Sequence, residues 1–121
     1  MNTEDILRDP AIQKARERVA RIGQMMFERR LTDAAGGNIS ERAGELVCIS
    51  PRYSGSQRQW QLTPEDVLVV NFEGEVLVGA GTISRESKVH LRLASSTGGI
   101  GMAAAAKTSR LRAWAWITPV P

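Results

Sequence analysis

NISERAGELVCIS, residues 38–50, holds two short segments with alternating or β-branched residues, NISER and ELVCIS, on either side of Ala43-Gly44. That arrangement predicts a β-hairpin. Upstream, Asp9-Pro10 pairs a good N-cap with a proline at the first helical position, where its missing N–H costs nothing. Ile12, Ala15, Val19, Ile22 and Met26 then recur at spacings of three and four. This predicts one apolar helical stripe, with Arg16, Glu17, Arg18 and Arg21 on the other faces. Arg29 and Arg30 suit its C-terminal end, and the Gly pair in LTDAAGGNIS (31–40) breaks the helical period.

Downstream of the hairpin, PRYSGSQRQW (51–60) reads as a loop. LTPEDV (62–67) offers Thr63 as a cap, then Pro64 and two acids, and predicts one short helical turn. VLVVN (67–71) and EVLVG (75–79) predict strands joined at Glu73-Gly74. Ser84 is a suitable N-cap for a second helix through Glu86, Val89, His90 and Leu93. Helix, several short strands and helix, in that order, argue for a mixed α/β domain with a largely antiparallel sheet.

The totals bound the answer further. A chain of 121 residues with 42% hydrophobic and 24% charged residues is expected to be one soluble globular domain. Its pI of 9.6 arises from an uneven distribution of charge. Lys88, Arg92, Lys107, Arg110 and Arg112 follow Glu86, whereas none of the 13 acidic residues does. The basic surplus therefore belongs to the tail, and a nucleic-acid function for the whole domain is not implied. Cys48 is the sole cysteine, which rules out an internal disulfide and fits a reducing compartment. MNTEDILRDP lacks an apolar signal core, and no stretch approaches the roughly 18 apolar residues that span a bilayer. The expectation is a cytoplasmic protein with no membrane partner.

Three segments could hold an anion. Gly36-Gly37-Asn38 combines a backbone that a ligand can approach closely with amide donors, although a turn requiring positive φ is the more ordinary explanation of the glycines. Ser50-Pro51, Ser54-Gly55 and Ser84 add hydroxyls of the kind that bind phosphate, and each also suits an ordinary turn or cap. Glu86 fits the first turn of its helix electrostatically. His90 follows at i+4 on the same face, where a hydrogen-bonded structural role competes with a chemical one. Catalytic zinc commonly takes three protein ligands, and this chain has one His and one Cys. No Ser or Cys has a neighbouring His in sequence to activate it as a nucleophile.

LTDAAGGNIS, LVCISPRYSG, QLTPEDVLVV, EGEVLVG and TISRESKVHL occur in an order that resembles the class II aldolase/adducin family. The resemblance runs from the first helix to about Leu93. It implies a three-layer α/β/α sandwich around a mainly antiparallel sheet, here incomplete at the C-terminus. It also implies a metal-dependent aldehyde-lyase acting on a sugar phosphate, with a divalent metal, usually zinc, held by three histidines. By the same resemblance Glu86 takes the catalytic acid/base position. Gly37 and Asn38 match the phosphate-loop pair, Ser50 with Ser54 and Gly55 the ends of the second phosphate loop, and Ser84 the first serine of a Ser-Ser-Glu motif. Arg52 and Tyr53 intervene in the second loop, and Arg85 replaces the second serine.

The family's His-x-His motif falls where this chain reads GMAAAAKTSR, so no metal ligand is assigned. The expectation is residues 1–93 as the N-terminal part of the family domain and 94–121 as a divergent basic tail, frameshifted or poorly ordered, with aldolase activity lost. Complete relatives are expected to be homotetramers. The competing reading is a non-catalytic, adducin-like binding module. Nucleic-acid binding by the Trp-containing tail is a weaker alternative, because its charges are sparse.

Overall fold

A computed structural model describes the backbone of residues 2–32, 37–97, 102–107 and 112–117, and side chains at 2–32 and 37–95. In chain order the elements are α1 (Thr3–Arg8), α2 (Pro10–Glu28), β1 (Gly37–Ala43), β2 (Leu46–Ile49), a 3-10 turn (Pro64–Asp66), β3 (Leu68–Val70), β4 (Val76–Val78), α3 (Ser87–Thr97), β5 (Met102–Lys107) and β6 (Arg112–Ile117). The strands form one sheet in the order β4-β3-β2-β1-β5-β6, with every neighbouring pair antiparallel.

The hairpin that anchors this sheet pairs Ala43 with Leu46 and Ser40 with Ile49. Its turn uses Gly44 at φ +62, a left-handed conformation that costs glycine little. Strand alternation then assigns each residue to a layer. Ile39, Cys48, Val67 and Val69 pack with Ile6, Ile12, Ala15 and Val19 under α1 and α2. Val47, Ile49, Leu68 and Val70 pack with Leu91 and Ala94 of α3 on the opposite face. The architecture is thus α/β/α, as the resemblance implied. Each fully buried Val, Leu or Ile contributes about 1.5–3 kcal/mol, so a sheet covered on both faces has two cores to hold it.

Local sequence signals account for most boundaries. Asp9 Oδ1 accepts from the Ala11 N–H at 2.9 Å and starts α2 at Pro10. The Thr63 N–H and hydroxyl both donate to Asp66 Oδ2, at 2.9 and 3.1 Å, and close the 3-10 turn. Asn71 Oδ1 accepts from the N–H groups of Glu73 and Glu75 and shapes the β3–β4 turn.

Four features depart from the sequence expectation. Arg16 is buried instead of facing solvent, donating Nε to Val67 O at 3.1 Å and Nη2 to Glu65 O at 2.9 Å. These carbonyls end the 3-10 turn, so the guanidinium takes the place that water has at an exposed terminus. Trp60, at the end of the loop 51–60, is 1% exposed and belongs to the core under α2. The unforeseen α1 is capped by Asn2, whose Oδ1 accepts from Asp5 N–H at 2.9 Å, and buries Ile6. Finally, α3 begins at Ser87, not directly after Ser84. The Ser87 N–H donates to Ser84 O, so Ser84, Arg85 and Glu86 form a lead-in turn and Glu86 precedes the first helical residue.

Strands β5 and β6 fall within the stretch assigned to a divergent tail. Ile39 pairs with Ala104 and Met102 with Ile117, which continues the sheet beyond β1. Residues 98–101, 108–111 and 118–121 of that stretch, and Gly36 of the first glycine pair, lie outside the described residues.

Candidate functional site

The expected site residues converge on the open end of the β1–β2 hairpin. Gly37 begins β1 at φ +124, where any other side chain would be strained. Asn38 follows and is buried. Ile39 lies opposite Ser50 and bonds it twice: its N–H donates to Ser50 Oγ at 3.0 Å, and its carbonyl accepts from Ser50 N–H at 2.9 Å. Four residues further on, the Ser54 hydroxyl donates to Pro51 O at 2.5 Å, beside the buried Gly55. The Arg52 N–H donates to Thr82 O at 2.8 Å, and a Cβ on Gly81 would touch Pro51 Cβ at 3.4 Å. This seam ties the loop 51–60 to the segment carrying Ser84 and Glu86.

Convergence does not make every hydroxyl available. Ser50 is 0% and Ser54 2% exposed, and both are engaged inside the protein. Their direct role is to fix the loop on the end of the sheet. Ser84 and Ser87 behave differently: each Oγ is buried without a hydrogen-bond partner among the described residues. Leaving a hydroxyl unpaired costs about 1–3 kcal/mol, so these two atoms mark a place where a polar ligand has something to gain. Ser87 is absent from the sequence expectation, although its position three residues after Ser84 was a signal for the same side of the turn.

His90 lies beneath this turn on α3, fully buried, with Nδ1 2.6 Å from Ser40 Oγ. Burial holds its pKa down to about 4, while the nearby Glu86 carboxylate pulls it upward in part. The imidazole is therefore neutral at pH 7, and the tautomer decides which partner donates. Glu86 itself is exposed. The geometry makes His90 a strut between α3 and the central strand, and leaves Glu86 as the carboxylate that faces solvent. Ser40 is the partner that sequence spacing could not name, although Asn38, Ser40 and Arg42 share one face by strand alternation.

The other charged and cavity-forming residues lie elsewhere. On the α2 face, Arg18 Nε meets Glu41 Oε1 at 2.7 Å, with Glu41 2% exposed. Cys48 is fully buried, its Sγ 3.8 Å from Ile12 O, and burial pushes its thiol up to about 12. A cavity of about 310 Å³ is lined by Pro10, Ala11, Lys14, Arg18, Arg42, Ala43 and Gly44. It sits at the turn end of the hairpin, and at about 3.3 Å per residue it is roughly 20 Å from Gly37.

A divalent metal does not fit the residues described. No three His, Cys, Asp or Glu side chains among them are grouped to hold an ion. The lone His has Nδ1 engaged with Ser40, and Cys48 belongs to the opposite layer. No helix among the described residues is long and apolar enough to cross a membrane.

Comparison with known proteins agrees with this architecture. A 5-deoxy-D-ribulose 1-phosphate aldolase from Bacillus thuringiensis serovar kurstaki is 42% identical over 82 residues, 66% of this chain and 37% of that protein. This chain thus spans little more than a third of that curated relative. An L-fuculose-1-phosphate aldolase from Thermus thermophilus superposes with a TM-score of 0.57 at 32% identity, covering 77% of this chain and 47% of the other. A second L-fuculose 1-phosphate aldolase superposes with a TM-score of 0.68 at 23% identity, over 79% of this chain and 45% of the other, and shows the shared fold. The profile of the class II aldolase and adducin N-terminal domain matches residues 17–119, past Leu93 and through both added strands. With helices on both faces of an antiparallel sheet, and that match over most of its length, the chain belongs to the class II aldolase and adducin N-terminal domain family.

Proposed function

We propose that the open end of the β1–β2 hairpin binds a small phosphorylated sugar, and that this chain as it stands does not cleave it. The observation that carries the reading is the pair of buried hydroxyls of Ser84 and Ser87 at the start of α3, without a partner among the described residues, on the segment that the Arg52–Thr82 bond joins to the second loop. Hydroxyls and a helix N-terminus together suit a phosphate. Gly37 and Asn38 allow close backbone approach on the β1 side, and Ser50, Ser54 and Gly55 hold the loop in shape. The relatives, an aldolase of 5-deoxy-D-ribulose 1-phosphate and one of L-fuculose 1-phosphate, suggest the ligand class.

This reading gives proton transfer to Glu86, and its exposed carboxylate in the turn before α3 supports that role. Proton transfer beside a carbonyl requires an electrophile to hold the negative charge that develops on oxygen. The described residues provide no metal ligand set for that purpose. Binding without turnover is therefore the function proposed for this chain, and zinc-dependent cleavage is left to relatives with ligands for the ion.

Calorimetry of the 121-residue protein with dihydroxyacetone phosphate and with dihydroxyacetone separates the outcomes, run beside a retro-aldol assay on sugar phosphates with added zinc. Binding that requires the phosphate, without turnover, is expected. Zinc-dependent turnover abolished in Glu86→Gln would overturn the inactivity. No binding of any phosphate by folded protein would overturn the site and leave the adducin-like reading in its place.

A further inference from the structure

At the start of the loop 51–60, Ser54 and Gly55 face inward while Arg52 and Tyr53 face outward. Ser50 and Ser54 are buried and hydrogen-bonded internally, whereas Arg52 and Tyr53 are exposed. On the segment joined to it by the Arg52–Thr82 bond, Ser84 Oγ is buried and Arg85 is exposed. These arginines occupy the positions at which this sequence departs from the family pattern in each loop. Resting on the phosphate-site reading above, we propose that Arg52 and Arg85 form a guanidinium rim that captures the phosphate of the sugar ligand beside Ser84 and Ser87, in place of the Ser50 and Ser54 hydroxyls, which are engaged internally.

Several observations converge on this assignment. The Arg52 guanidinium lies 4.7 Å from the centroid of the Tyr53 ring, within cation–π range. Stacking restricts the arginine while leaving its N–H edge free for a planar, bidentate contact with phosphate. Tyr53 is held at φ +67, a conformation that is costly for a residue with a side chain. Its carbonyl accepts from Gln57 N–H at 3.0 Å, and Arg52 N–H is fixed on Thr82, so the surrounding loop maintains that geometry. Neither arginine forms an ion pair among the described residues, whereas Arg18, Arg42 and Arg58 each do. Both guanidinium groups are exposed on joined segments, so a dianion that meets both gains two charge-assisted contacts. Glu86, next to Arg85, contributes a single negative charge, which leaves the rim positive.

The test is calorimetric titration of the full chain with dihydroxyacetone phosphate and with inorganic phosphate, for wild type, R52Q, R85Q, the double variant, R85K and the exposed-helix control R21Q. Circular dichroism melts verify that each variant is folded. Both substituted side chains are exposed, so unchanged melts are expected. Removing a charge-assisted contact weakens binding by about tenfold or more, so each single glutamine variant is expected to lose at least that factor and the double variant more. R85K should recover part of the loss, R21Q should stay within about twofold, and the salt dependence should become shallower as each arginine is removed. Equal losses for both ligands place the rim on the phosphate, and a loss confined to the sugar phosphate would overturn that placement. A wild type that binds phosphate together with a double variant that binds equally well would overturn this inference alone. A wild type that binds neither ligand would sink the site reading and the rim with it.

Discussion

His90 offers a direct test of the layer beneath the candidate site, because it is the only histidine in the chain. Folding lowers its pKa from 6.5 to about 4, chiefly through burial. As pH falls, the unfolded chain takes up this proton first, so the stabilisation is complete above about 6.5 and declines as pH drops toward 4. Over the window from pH 7 to pH 5, linkage gives a loss of about 2 kcal/mol from this one group, a substantial share of the roughly 5–15 kcal/mol that holds a domain folded. Urea denaturation at pH 7, 6 and 5 should show wild type losing about 2 kcal/mol more than His90→Gln, since carboxylates titrate in both and cancel in the difference. The imidazole proton resonances give an independent reading, with a midpoint near 4 that moves lower in Glu86→Gln as the neighbouring negative charge is removed. A midpoint above about 6, or the same pH dependence in wild type and variant, would refute both the burial and the neutral Ser40–His90 contact.

Three other perturbations follow from the packing. A Cβ on Gly23 would lie 2.6 Å from Trp60 Cε3, so Gly23→Ala should lower stability by about 1–3 kcal/mol, against the gain of about 1 kcal/mol that alanine normally brings to a helix; a thermal melt showing a more stable variant would contradict the tryptophan's placement. Cys48, buried and pushed up to about 12, should resist a thiol-exchange reagent at pH 8 until denaturant is added, and rapid labelling of native protein would be inconsistent with it. Asp66 is held below the usual carboxylate range, first by the Thr63 backbone N–H and also by Arg58. Asp66→Ala should therefore cost about 1 kcal/mol at pH 7 and progressively less as pH falls through the aspartate's titration, and a loss independent of pH would argue against the ionised cap.

What could be read in the sequence is what local chemistry decides. Asp9-Pro10, Ala43-Gly44, Thr63-Pro64 and the turn after Asn71 each combine a hydrogen-bonding side chain or special backbone geometry with a change of periodicity, and each marks an observed boundary. Arg16 defeats the same logic, because the carbonyls that accept its hydrogen bonds belong to residues 49 and 51 positions away. Helix α1 has six residues, too few for an apolar period to emerge. Trp60 resembles other loop residues until α2 leaves a gap at Gly23 for its ring. Strand β5 carries four alanines, poor strand formers in isolation, and takes its conformation from pairing with β1 and β6. At the site, the grouping of Gly37, Asn38, Ser50, Ser54 and Ser84 was readable as ordered motifs. The inward orientation of Ser50 and Ser54 was not, since the first depends on register across the hairpin and the second on the fold of the loop onto Pro51 O.

The distribution of unpaired buried polar atoms argues further for where the chemistry belongs. Glu41 Oε2 is one such atom on the α2 face, but its other oxygen is clasped by Arg18, and the residue is 2% exposed. A ligand could reach that carboxylate only by displacing the ion pair, at the cost of leaving a charge buried alone. Trp60 Nε1 is another, set within a core residue that is 1% exposed. Ser84 and Ser87 differ because they flank an exposed turn, beside Arg85 and Glu86. A buried polar atom next to solvent and to exposed charges is one that a ligand can satisfy, whereas one sealed behind an ion pair or an indole is a cost the fold carries. By that criterion the start of α3, more than the cavity at the hairpin turn, is where the proposed phosphate site belongs.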